Sequence, residues 1–129
     1  MRKQYYFRPS TRGLLAWDVD RLITLSIDLP RLQVPLDAIQ ELTEPFSSEF
    51  DHGSSWRAII EHIRLVKAAD SRFPIVLAAD GRVMDGMHRV IKALLAGKAT
   101  IEAVQFRIDP EPDHVGIHPD ELSYAETHG

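Results

Sequence analysis

The apolar positions change period along the chain, and each change marks an element. From Trp17, the Asp18 carboxylate can cap a helix whose Val19, Leu22, Ile23 and Ile27 share one face until Pro30 stops it. Ile23, Leu25, Ile27 and Leu29 also alternate with Thr24, Ser26 and Asp28, a strand template, but cap and length favour the helix. Gln33-Val34-Pro35-Leu36 predicts a short strand at a sheet edge, because Pro35 lacks a ladder donor. Asp37 to Leu42 predicts a helical turn leading into Thr43-Glu44-Pro45, and residues 45–55 a loop long enough to act as a lid.

From Ser55, the apolar residues Trp56, Ile59, Ile60, Ile63 and Val66 follow the helical period as far as Ala69-Asp70. Phe73 to Ala78 is continuously apolar and predicts a buried strand. Asp80-Gly81 suits a two-residue hairpin turn, with Arg82-Val83-Met84 pairing back. After Gly86, a helix carries Met87, Val90, Ile91, Leu94 and Leu95 on one side, and Gly97 stands where a C-terminal cap belongs. Thr100 to Ile108 predicts a last strand, broken by Asp109-Pro110. Helices and strands thus alternate around a small mixed sheet, an α+β domain.

Composition bounds this picture without changing it. A chain of 129 residues with 44% hydrophobic and 26% charged residues reads as one ordinary globular domain. No apolar run approaches the roughly 20 residues that span a bilayer, and Met1-Arg2-Lys3-Gln4 lacks the apolar core of a signal peptide, so the expected location is cytoplasmic. The absence of cysteine excludes disulfides, thiol nucleophiles and thiolate metal sites. A net charge of −4 argues against general nucleic-acid binding. Charge is uneven: Arg2, Lys3, Arg8 and Arg12 predict a basic arm over residues 1–16, and residues 109–129 an acidic, proline-containing tail around a domain at 17–108.

The chemistry concentrates in Asp85-Gly86-Met87-His88-Arg89, at a strand-to-helix junction. A helix N-terminus offers unpaired N–H donors and partial positive charge, and Gly86 lets a ligand approach the backbone. Met87 lies on the core stripe, whereas His88, Arg89 and Lys92 point toward solvent or a cleft. Arg89 can hold phosphate oxygens and His88 can donate or shuttle a proton. Asp85 would repel a bare phosphate, so it should bind a metal, accept a proton or cap the helix. No separate metal site is expected: Gly116 and Pro119 make a helix carrying His114 and His118 improbable, and His52 and His62 read as surface residues.

These residues carry a resemblance. Phe73 to Leu77, then Asp80 to Arg89, then Ala93 to Gly97 with Thr100-Ile101, resemble the ParB/sulfiredoxin superfamily, and in it small stand-alone ParB-like proteins of uncharacterised role. The likeness spans about Leu32 to Phe106, with Gly86, His88 and Arg89 its most specific part. It implies a compact mixed-sheet domain binding nucleotide phosphates at this helix N-terminus. Sulfiredoxins carry Cys where this chain has Met87, which excludes their thiolate chemistry. Partition-type CTPases have Gly-Glu-Arg-Arg followed by a helix-turn-helix domain; with Gly-Met-His-Arg here and few residues after it, chromosome partitioning is not the expected role.

Free-serine kinases carry Asp-Gly-His-His-Arg, of which Asp85, Gly86, His88 and Arg89 are retained. That likeness implies Asp85 as base toward a hydroxyl and His88 with Arg89 on the phosphates. It also implies a glutamate after the first strand, with Glu44 the nearest candidate and Glu41, read as part of an exposed turn, a weaker one. Asp85, Glu44 and His88 are then the catalytic candidates, while Gly86, Met87, His88 and Arg89 line the phosphate. Mg²⁺ would arrive with a nucleoside phosphate or phosphorylated small molecule. The expected function is a nucleotide- or phosphate-binding domain, acting as a small-molecule phosphotransferase or nucleotide hydrolase. The alternatives are a non-catalytic protein-interaction module, which would allow a homodimer, and a ParB-like nuclease, which the charge disfavours.

Overall fold

The computed structural model describes residues 3–45 and 55–124. The expected lid falls mainly in residues 46–54, outside the described residues. Strands β1 (Tyr5–Arg8) and β2 (Leu15–Asp18) form an antiparallel pair, and helix α1 (Val19–Ser26) follows directly. Asp18 caps α1 by accepting a hydrogen bond from the Asp20 N–H, as its sequence position predicts. Strand β3 (Leu32–Pro35) leads into two 3₁₀ turns at Leu36–Ala38 and Gln40–Thr43. Then come α2 (Trp56–Ala68), β4 (Ile75–Leu77), β5 (Val83–Asp85), α3 (Met87–Leu95), β6 (Thr100–Gln105) and β7 (His114–Val115).

The main sheet has the order β3-β6-β4-β5, with β4 and β6 parallel and the other pairs antiparallel. This α+β arrangement matches the expected fold class. Because side chains alternate across a strand, the apolar run of β4 divides between two cores. Ile75 and Leu77 join Leu36, Ile39, Val83, Val90 and Ala103 under α3, with Met87 packed at the margin. Val76 and Ala78 join Trp17, Leu22, Met84, Val104 and Phe106 under α1. A strand covered on both faces carries no polar positions, which is why its sequence reads as an unbroken apolar run.

Three expectations are corrected. First, the β4–β5 connection is longer than a two-residue turn. Ala78 N–H donates to Arg82 C=O at 2.8 Å and Gly81 N–H to Ala78 C=O at 2.9 Å, so Ala79, Asp80 and Gly81 form the tip. Second, the segments expected as arm and tail pair with each other, in a three-stranded sheet of order β1-β2-β7. Lys3 pairs with Asp18 at 2.7 Å and Arg8 with Asp80 at 3.0 Å, so these two basic residues meet carboxylates of the chain itself. Asp113 accepts from the Asp18 N–H at 2.8 Å and from Arg21 at 3.2 Å, and the Trp17 indole donates to Pro110 C=O at 2.8 Å.

Third, the apolar stripe of α2, apart from Val66, does not face the core. Trp56, Ile59, Ile60 and Ile63 are exposed, and among the helix's residues only Val66 is buried. The inward residues are Ala58, His62 and Val66, spaced by four and therefore aligned along one side of the helix.

Candidate site at the start of helix α3

Strand β5 passes through Gly86 into α3 with no intervening loop. Gly86 takes φ +110°, a conformation that disfavours any L side chain. A Cβ there would also lie 2.7 Å from Ile75 Cγ2 and 2.9 Å from Arg89 Nη2. Glycine is therefore required twice, by dihedral and by space. Since glycine has no side chain, the helix begins with no side-chain cap. The N–H groups of Met87, His88 and Arg89 precede the first i−4 bond, which Val90 N–H makes to Gly86 C=O at 3.0 Å.

Asp85 is not the N-cap. Its Oδ2 accepts from Arg89 Nη2 at 2.9 Å, one helical turn on, and both side chains are largely buried. The same Nη2 donates to Pro74 C=O at 3.3 Å, while Arg89 Nε is buried without a hydrogen-bond acceptor. His88 leaves the helix in a different direction. Its ring lies 5.0 Å from that of His62 on α2 in an edge-to-face contact. Burial pushes the His88 pKa down, and the neighbouring His62 and Arg89 add to this against Asp85. His88 is therefore mostly neutral near pH 7.

The two catalytic carboxylates expected from sequence have separate partners. Glu44 binds Arg82 through both oxygens, at 2.6 and 2.9 Å, and the guanidinium holds its carboxyl below the usual carboxylate range. Asp85 is held by Arg89. The described residues contain no group of three His, Cys, Asp or Glu side chains suited to a metal ion, and these two carboxylates are already engaged by guanidinium groups. The donor set thus does not fit a protein-held Mg²⁺.

Two neighbours differ from their sequence reading, and a third, Lys92, has a role that reading did not assign. Glu41, read as exposed, sends Oε2 to the Val83 N–H at 2.5 Å and buries Oε1 without a donor. Its placement depends on β5 crossing the 3₁₀ turn, a contact separated by 42 positions that no local pattern encodes. His62, read as a surface residue, packs on His88; the four-residue spacing of Ala58, His62 and Val66 was the available signal. Lys92 caps the end of α2, donating to the carbonyls of Lys67 at 2.9 Å and Ala69 at 2.7 Å. It fixes α3 against α2 and so sets the two imidazoles in register.

No protein family, curated protein or solved structure matches this chain. The arrangement offers a helix N-terminus with open N–H groups, a half-buried neutral imidazole and a guanidinium balanced by one carboxylate.

Proposed function

We propose that the chain is a phosphate-binding domain of ParB/sulfiredoxin type, whose ligand is a nucleoside phosphate or a phosphorylated small molecule. The observation that carries this reading is Gly86: its positive φ and missing side chain leave the first turn of α3 uncapped, with His88 and Arg89 beside it. Uncapped N–H groups and the partial positive charge of the helix end favour an oxyanion. His88 adds a donor, and a bound phosphate would favour its protonated form. Arg89 adds positive charge that Asp85 partly offsets.

Turnover, as phosphotransfer or nucleotide hydrolysis, would require Asp85 to exchange Arg89 for an acceptor hydroxyl. Binding and chemistry therefore separate in one variant. Calorimetry with Mg·ATP, Mg·ADP and Mg·CTP should detect binding; Arg89→Ala should weaken it at least tenfold, and Met87→Leu, which keeps the backbone donor, should not. Asp85→Asn should bind phosphate more tightly, because a repelling charge is gone. If Asp85 is also a base, the same variant loses all turnover. No heat with any of these ligands at millimolar concentration would overturn the reading.

A second reading, a protein-interaction module on the same fold, is favoured by the α2 face. Trp56 is 83% exposed, and Ile59, Ile60 and Ile63 extend the same apolar surface. The two readings are compatible, since this face is offset from the His62 side of the helix.

A further inference from the structure

We propose that the cleft between α3 and the β3–β6 edge is a second ligand site, for a small aromatic carboxylate. The cleft is about 430 Å³, within the size range of small-molecule sites, and its lining includes Gln33, Ser71, Phe73, Arg89, Lys98 and Thr100. Gly86, Met87 and His88 do not line it, so it lies apart from the N–H groups of α3 and shares only Arg89 with them.

The lining presents donors. Arg89 brings its guanidinium to the lining, and its Nε is buried with no acceptor within the protein. Among the described residues, neither the Lys98 ammonium nor the Ser71 hydroxyl has a side-chain partner. Gln33 uses its Oε1 to accept from Thr100 Oγ1 at 3.1 Å, which leaves its amide NH₂ as a donor. The one carboxylate in the lining, Glu102, is turned to Arg31 at 2.7 Å.

Charge selects the ligand further. Asp85 balances Arg89 and Arg31 balances Glu102, so Lys98 leaves the cleft with one net positive charge. A monoanion matches that charge better than a phosphate dianion. Phe73 is 58% exposed at the cleft and offers an apolar face to a flat ring. The segment that carries it is braced by Arg72, whose Nη2 meets Asp70 at 2.7 Å, and by the Phe73 N–H bond to Asp70 C=O at 3.3 Å. A carboxylate on Arg89 and Lys98 with its ring against Phe73 satisfies both halves of the cleft.

1-Naphthoate is a suitable probe, titrated into the full chain and followed by amide and arginine Nε–H resonances. Shifts are expected at Ser71, Phe73, residues 98–101 and the Arg89 side chain. Lys98→Ala and Phe73→Ser, both at exposed positions that should leave the fold intact, should each weaken binding at least fivefold. The neutral analogue 1-naphthylmethanol should bind at least tenfold more weakly. Naphthoate affinity unchanged in both variants, or shifts confined to the exposed face of α2, would overturn the proposal. Failure of nucleotide binding leaves this site standing, and loss of the naphthoate response leaves the phosphate site standing, so the two are tested separately.

Discussion

At Gly86 one residue satisfies three demands: a positive φ, clearance from Ile75, and an uncapped helix start. Gly86→Ala should therefore cost about 1–3 kcal/mol from the dihedral alone, with more from the Ile75 overlap, and should lower the urea midpoint accordingly. His88 supplies a pH-dependent prediction. Burial depresses its pKa below the ordinary value of 6.5, so the unfolded chain takes up the proton first as pH falls. Its contribution to stability is complete above pH 6.5 and declines below it, toward the depressed folded value. His88→Gln should flatten that part of the pH–stability curve measured by denaturant unfolding. The charges that set this pKa are His62 across the helix contact and Arg89 and Asp85 on its own side, so replacing His62 by Gln should raise the NMR titration midpoint of His88. Asp85 and Arg89 were legible as a pair of reactive residue types. That they neutralise each other depends on the angle at Gly86, since the i,i+4 contact crosses a strand-to-helix junction.

At the scale of elements, α2 separates periodicity from burial. Its apolar stripe and its buried stripe share only Val66 and are otherwise offset, so hydrophobicity alone misplaces the contact surface. Val66→Ala should cost about 1–2 kcal/mol in chemical unfolding, since it is the buried side chain of the helix. Ile60→Ser, at a position 55% exposed, should change stability by less than about 0.5 kcal/mol. If the face binds a second copy of this chain, Ile60→Glu should shift the solution mass from dimer to monomer by light scattering while leaving the melting temperature of the dilute protein in place. The α1 cap at Asp18, the start of α2 at Ser55 and the end of α3 before Gly97 all stand where capping chemistry predicts. These elements were readable because capping involves only residues within a few positions.

Across the whole molecule, the first and last described segments close on each other. Tyr5 donates to Ser123 C=O at 2.7 Å, its ring meets Tyr124 edge-on at 5.4 Å, and Asp113 ties the tail to the start of α1. Asp113→Ala should cost about 1–2 kcal/mol by removing the acceptor for Asp18 N–H and Arg21. A free acidic tail would show no change in the same measurement. The charge segregation seen along the sequence is thus met, in part, by pairs with the residues between the two segments: Lys3 with Asp18, Arg8 with Asp80, and Asp113 with Arg21.

The sequence by itself determined the α+β class, the caps, the buried character of β4 and the glycine-led junction before α3. Each follows from local rules: periodicity, capping chemistry and the conformational freedom of glycine. Only the tertiary structure decided which groups meet. It paired Glu44 with Arg82, set Glu41 against β5, placed His62 on His88, turned most of the α2 stripe outward and joined β1, β2 and β7 in one sheet. These contacts link positions far apart in sequence, and their energies depend on distance and burial, which only the packed chain fixes.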